Sequence, residues 1–192
     1  SGENDPYKIW LSEIILQQTR VEQAAPYYYR LINEFPDLTS LAKTPLENLL
    51  KIWEGLGYYN RCKNLLFTAR LIVNEMNGNF PTTYNDLLGL KGVGSYTAAA
   101  IASFAYNQPY AVVDGNVFRV LARFFGNATA TDTAHGKQLF TQLANEVLDK
   151  KYIYIQTFTH FFEFMDDVKS GYLGNISEDI LSDFYQNKVI LI

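Results

Sequence analysis

The segment from Leu90 to Arg119, LKGVGSYTAAAIASFAYNQPYAVVDGNVFR, joins a glycine turn, a small-residue helix and a carboxylate. Gly92 and Gly94 permit a sharp backbone turn and the close approach of a partner to the main chain. Amides that open the next helix have no acceptor inside it and suit a phosphate oxygen. Asp114 follows Gly94 by twenty residues, which predicts a buried carboxylate a short distance from a gripped backbone. The same residues also fit a plain turn between helices followed by a helix-capping aspartate. The motif alone leaves both readings open.

Other residues could join such a site. Glu13 lies between Trp10-Leu11 and Ile14-Ile15-Leu16, a setting apolar enough to bury it. A glutamate on a helix is ordinarily a surface residue, so burial here would be informative. Tyr58 and Tyr59 follow the turn Gly55-Leu56-Gly57, where core packing at a helix start would occupy at least one of them. Arg61, Lys63 and Arg119 fit either phosphate contacts or surface charge without a role. His135 and His160 stand apart from other metal-ligating residues, so no metal site is expected.

The elements that must hold these groups read as helices almost throughout. Amphipathic patterns predict helices over 7–18 and 21–34, with Pro26 expected to kink or restart the second. Pro36-Asp37 and Thr44-Pro45 announce short helices at about 38–43 and 46–53. A long helix over 58–76 ends at Asn77-Gly78, and Thr83 caps a short segment ending near Leu90. Helices at 95–106, from 115 to about 125, and at 134–149 complete the pattern. Strand signals appear only in the tail, at 152–155 and 189–192.

Composition narrows the class. The 192 residues are 48% hydrophobic and 19% charged, which describes a globular chain with a real core. A single cysteine, Cys62, excludes an internal disulfide and fits a reducing compartment. No apolar run is long enough to span a membrane, and no signal peptide is visible. Ser1-Gly2 reads as an expression scar, and the start at Asp5-Pro6 as that of a fragment. The net charge of −4 argues mildly against a nucleic-acid partner. Residues 151–192 hold −3 of it, however, which leaves the first 150 residues at −1.

Four motifs, LSEIILQQTRV, WEGLGYYNRCKNL, LKGVGSYTAAAI and VVDGNVFRVLAR, occur in an order and spacing that resemble one family. It is that of the MutY-type adenine DNA glycosylases, within the helix-hairpin-helix superfamily of base-excision repair. The resemblance covers roughly residues 5–150. It implies an all-α fold, with a six-helix domain at 7–125 that carries the helix-hairpin-helix at about 83–106. A second helical lobe would come from 1–6 and 126–192, with 152–192 of uncertain structure and DNA crossing between the lobes. The implied activity is removal of adenine mispaired with 8-oxoguanine or guanine.

That chemistry has clear physical demands. A base inside a duplex must be extruded before a side chain can reach it, at a cost of a few kcal/mol. Breaking its N-glycosidic bond places positive charge on the sugar and negative charge on the departing base, as in glycoside hydrolysis. By resemblance, Glu13 is the general acid that protonates adenine at N7, and Asp114 stabilises the sugar cation or bonds to it transiently. Glu13 then needs a pKa raised well above about 4.3, most simply by burial. Asn116 would orient Asp114. Tyr96 stands where strand-nicking relatives carry a Schiff-base lysine, so it implies a monofunctional enzyme with Tyr96 as a hydrogen-bonding helper. Tyr96 also fits a packed aromatic at a helix start.

The resemblance assigns DNA contacts to three places. The hairpin residues Gly92, Val93, Gly94 and Ser95 would hold a phosphate, with a possible bound monovalent cation. Gln18, Thr19 and Arg20 would fill the space near the extruded base. Tyr58 would be an aromatic wedge beside the 8-oxoguanine. The expected partner is double-stranded DNA bound by a monomer, in the cytoplasm (the bacterial nucleoid) or in a eukaryotic nucleus.

Departures from the family are equally specific. Most members hold a [4Fe–4S] cluster on four cysteines, and a chain whose one cysteine is Cys62 cannot form it. The family's Pro-Trp-Arg segment ahead of Pro6 and its 8-oxoguanine-reading Nudix-like domain do not appear in these residues. A non-catalytic DNA-binding module therefore stands as an alternative, beside a thymine glycosylase for G:T mismatches, whose hairpin can also carry Tyr and Asp.

Overall fold

The computed structural model describes residues 4–148; the tail and its expected strands, His160 and the opening residues lie outside that range. Among the described residues, all regular elements are α-helices. They divide into two compact units, with the boundary between Tyr106 and Asn107.

The first unit is built around α1 (Pro6–Leu16). Its sequence, PYKIWLSEIIL, is apolar on most sides, and Trp10, Leu11, Ile14 and Ile15 are almost fully enclosed. Asp5 caps it by accepting from the Tyr7 amide at 2.9 Å, and Pro6 occupies the first turn, where no amide is needed. Each large side chain enclosed in this way contributes about 1.5–3 kcal/mol relative to exposure.

Six further helices surround it: α2 (Val21–Glu34), α3 (Leu38–Lys43), α4 (Leu46–Trp53), α5 (Tyr59–Glu75), α6 (Tyr84–Leu88) and α7 (Ser95–Tyr106). The helix starts and stops follow the punctuation of the sequence closely. Asp37 and Ser40 form a reciprocal capping box on α3, and Thr83 caps α6. Helix α2 runs through Pro26 rather than restarting there. The lost hydrogen bond would have gone to the carbonyl of Glu22, in the first turn, where water can replace it.

Two contacts matter for function. Helix α7 lies against α1, and its buried run from Thr97 to Ser103 is mostly alanine, so the backbones can approach closely. Helix α5 also touches α1 and supports α3 and α4. The second unit contains α8 (Gly115–Phe124) and α9 (Ala134–Val147), joined over a small core of Leu121, Phe140 and Ala144. No described helix is long and apolar enough to cross a membrane.

Candidate functional site

Glu13 sits on the enclosed side of α1 and is only 4% exposed. Its carboxyl has no hydrogen bond or ion pair among the described residues. Removal from water disfavours the carboxylate, and burial raises the pKa from 4.5 to about 7. A glutamate in that state keeps a large protonated fraction at neutral pH and can donate its proton. The apolar neighbours in the sequence permitted this burial; the packing of α1 supplies it.

Directly after α1 the chain turns through Gln18, a non-glycine residue at φ +57°. Such left-handed backbone is strained for a residue of this kind and persists only where its surroundings hold it. Thr19 closes the turn by donating its amide to the Leu16 carbonyl and its hydroxyl to the Gln17 carbonyl, and Arg61 of α5 ties the residues before it. Arg61 Nη1 donates to the carbonyls of Ile14 (3.2 Å), Ile15 (2.6 Å) and Gln17 (2.5 Å). These are carbonyls that the end of α1 leaves without partners inside the helix. Arg61 is 8% exposed, so the expectation of a phosphate-binding or idle surface charge is corrected. It is an internal clamp. Burial lowers its pKa, and the neighbouring Tyr58 acts in the opposite direction.

Tyr58 immediately precedes α5 and is also left-handed, at φ +49°, after Gly55 at +91° and Gly57 at +76°. A side chain on Gly55 would collide with the Tyr27 hydroxyl 2.6 Å away, which itself donates to the Glu54 carbonyl. The Gly57 carbonyl accepts from Trp53 Nε1 at 3.0 Å and from Arg61 Nη2 at 3.4 Å. The loop is fixed, yet Tyr58 projects from it and is 60% exposed. Tyr59 is 45% exposed as well, so neither tyrosine of the pair is a core residue, contrary to the packing expected at this helix start. Gln17, Gln18 and residues Tyr58 to Arg61 line an open depression of about 640 Å³. Gln18 and Arg20 are exposed around the turn, with Thr19 half-buried between them.

The glycine hairpin docks onto the same region. Gln17 Nε2 donates to the Gly92 carbonyl at 3.1 Å and reaches Thr97 Oγ1 at 3.5 Å. Thr68 of α5 donates to the Lys91 carbonyl. Gly92 adopts φ +84°, and a Cβ there would lie 3.0 Å from Asn64 Cβ. Gly94 does not share the positive φ: it leaves open space instead, so its role is access and not the turn. Val93 is buried as the hairpin's anchor, Ser95 is exposed, and Tyr96 is half-buried in the first turn of α7. The turn 17–20, the Tyr58 loop and the hairpin, far apart in sequence, thus form one assembly.

In the second unit, Asp114 is the N-cap of α8, as the plainer reading expected, and it is half-buried, less enclosed than the sequence suggested. Its Oδ1 accepts from the amides of Asn116 and Val117, each at 2.9 Å. Its Oδ2 accepts from the Asn116 side chain at 3.0 Å, and Asn116 in turn accepts from Arg119. These bonds fix the carboxylate's orientation.

No group of three or more His, Cys, Asp or Glu able to hold a metal occurs among the described residues. Cys62 is fully buried inside α5, and burial lifts its thiol to about 11. One enclosed, protonated thiol does not fit a four-thiolate iron–sulfur cluster.

Residues Gln17 and Arg61 escaped sequence reasoning as structural ties. The one available signal was an arginine in the first turn of a helix, where a positive charge opposes the helix dipole and therefore needs another reason.

Known proteins share this architecture. The chain is 45% identical over 121 residues to an adenine DNA glycosylase of Buchnera aphidicola subsp. Baizongia pistaciae, covering 63% of this chain and 34% of that protein. It is 43% identical over 145 residues to the adenine DNA glycosylase of Homo sapiens, covering 74% of this chain and 26% of that one. The chain thus spans about a third or less of these relatives' length. A thermostable thymine-DNA glycosylase superposes with a TM-score of 0.71 at 28% identity, over 78% of this chain and 69% of that one. The sequence profile of the HhH-GPD superfamily base excision DNA repair proteins matches residues 11–146. The helical fold, the hairpin and this match over most of the chain agree: it belongs to the HhH-GPD superfamily of base excision DNA repair proteins.

Proposed function

We propose that this chain is the catalytic region of a monofunctional DNA glycosylase that hydrolyses the N-glycosidic bond of adenine mispaired with 8-oxoguanine or guanine. The observation that carries the reading is Glu13, enclosed on α1 and holding a proton near neutral pH. In this reading the protein binds double-stranded DNA as a monomer. The hairpin 92–95 grips a phosphate, Tyr58 enters the base stack, and Gln18, Thr19 and Arg20 fill the space left by the extruded nucleotide.

Glu13 then protonates the departing base, which removes the negative charge that opposes bond cleavage. Asp114, held by Asn116 and two amides, stabilises the cationic sugar until water completes the reaction. Tyr96 carries no amine for a Schiff base, so the product is an intact abasic strand. A monovalent cation at the hairpin belongs to this reading on resemblance alone, and no step depends on it. The identity to adenine DNA glycosylases supports adenine as the substrate.

The likeness to a thymine-DNA glycosylase keeps a second substrate worth testing, thymine opposite guanine. Single-turnover assays on duplexes with A opposite 8-oxoguanine, T opposite G, and matched pairs separate the two. Alkali-labile sites are expected in the first duplex only, and Glu13→Gln and Asp114→Asn should abolish them. Strand breaks without alkali would refute the monofunctional mechanism. Binding without release of any base would leave a DNA-binding module.

A further inference from the structure

Arg61 does more than close a helix end. One guanidinium touches two segments about forty residues apart: the carbonyls of Ile14, Ile15 and Gln17 on one side, and the Gly57 carbonyl on the other. It also lies 5.3 Å from the Tyr58 ring centroid and 5.5 Å from that of Trp53. Each segment it holds ends in a strained, exposed, non-glycine residue: Gln18 at φ +57° and Tyr58 at φ +49°.

Among the described residues, two other non-glycine positions have positive φ, and both are asparagines, Asn77 and Asn107. Asparagine tolerates that conformation, whereas glutamine and tyrosine do not adopt it readily. Two strained side chains sharing one buried clamp is the arrangement expected when their positions must be set together.

We propose that Arg61 is a positioning residue that couples the Tyr58 loop to the Gln18 turn, so that the two act as one unit during base extrusion. The inference rests on the glycosylase reading and deepens it. Insertion of Tyr58 into the stack loads the Gly57 carbonyl and the guanidinium, and the same guanidinium sets the turn that follows the Glu13 helix. A lysine cannot replace it: an ammonium is a single point with three donors, without the planar fork that spans four carbonyls and lies beside a ring.

A double-mutant cycle tests this directly. The probe is a duplex carrying 2-aminopurine opposite 8-oxoguanine, read by its affinity and by the fluorescence rise on unstacking. Tyr58→Ala and Gln18→Ala are each expected to weaken binding and extrusion. The double variant should be impaired about tenfold less than the product of the single effects, because each substitution alone already disables the unit. In an Arg61→Lys background that checks as folded by circular dichroism, the two penalties should multiply.

A plain helix cap predicts multiplied penalties in both backgrounds, so that result with Arg61 present overturns the proposal. So does coupling that survives in folded Arg61→Lys. The first cycle needs no Arg61 variant and decides the matter if Arg61→Lys does not fold. Failure to release adenine, with coupling intact, would refute the catalytic reading alone. Adenine release with multiplied penalties would refute the coupling alone.

Discussion

Burial of Glu13 makes a prediction about stability as well as chemistry. Its pKa is 4.5 in an exposed chain and about 7 in the fold. Between those values the folded state binds a proton that the unfolded state has released, so stability falls as pH rises. At about 1.4 kcal/mol for each pH unit that separates the two values, the full penalty above pH 7 is about 3 kcal/mol. Below pH 4.5 both states carry the proton, and the penalty vanishes. Glu13→Gln keeps the shape of the neutral acid and cannot ionise. Its stability should therefore lack this component of the pH dependence.

Urea unfolding of both proteins at pH 5, 6, 7 and 8 measures the effect, with every other titrating group cancelling in the difference. Relative to pH 5, Glu13→Gln should gain about 2–3 kcal/mol over the wild type by pH 8. The variant would be the more stable protein at alkaline pH and yet inactive, a known trade between stability and an active-site group. Parallel curves for the two proteins would show that Glu13 titrates like an exposed glutamate, and the proton-donor reasoning would fail.

Other substitutions probe the rest of the assembly. Gly92→Ala forces a Cβ onto φ +84° backbone 3.0 Å from Asn64 Cβ, and should cost about 1–3 kcal/mol in thermal unfolding and weaken DNA affinity. Asn116→Ala removes the side-chain bond to Asp114 Oδ2 but leaves both amide bonds to Oδ1. Base release should slow by about ten- to a hundredfold, while circular dichroism and melting stay near wild type. Gly136→Ala would place a Cβ 1.9 Å from the Ala130 carbonyl oxygen, so the second unit should lose about 1–3 kcal/mol or fail to form, read by limited proteolysis. Thr133→Ala removes the cap on α9 beside it and should cost about 1 kcal/mol.

Local chemistry made most of the fold legible. Helix starts at Asp37 and Thr83 follow from side chains bonding amides three residues away, which any sequence window contains. Pro26 was harder, because the penalty for an interior proline depends on whether water can serve the carbonyl it abandons. The site was legible in its residue types but less so in its geometry. Glu13 could be seen to have apolar neighbours, yet its enclosure comes from the packing of other helices on α1, which α2, α5 and α7 contact from as far as about eighty residues later.

The direction of Arg61 was barely legible: its place in the first turn of α5 hinted at a special role but named no partner. Three of its four acceptors lie 44 to 47 residues away, where no local pattern reveals them. The same holds for left-handed backbone at Gln18 and Tyr58, since neither residue type favours it. Asp114 proved to be a helix cap whose second carboxylate oxygen is held by the Asn116 side chain.

The central claim is that Glu13 donates a proton to a departing adenine. The most direct measurement is the single-turnover rate of adenine release from an A:8-oxoguanine duplex, across pH 5 to 9, for wild type and Glu13→Gln. The wild-type rate should fall about tenfold per pH unit above about 7, where Glu13 loses its proton, and the variant should release none. A flat wild-type profile, or undiminished release by Glu13→Gln, would contradict it.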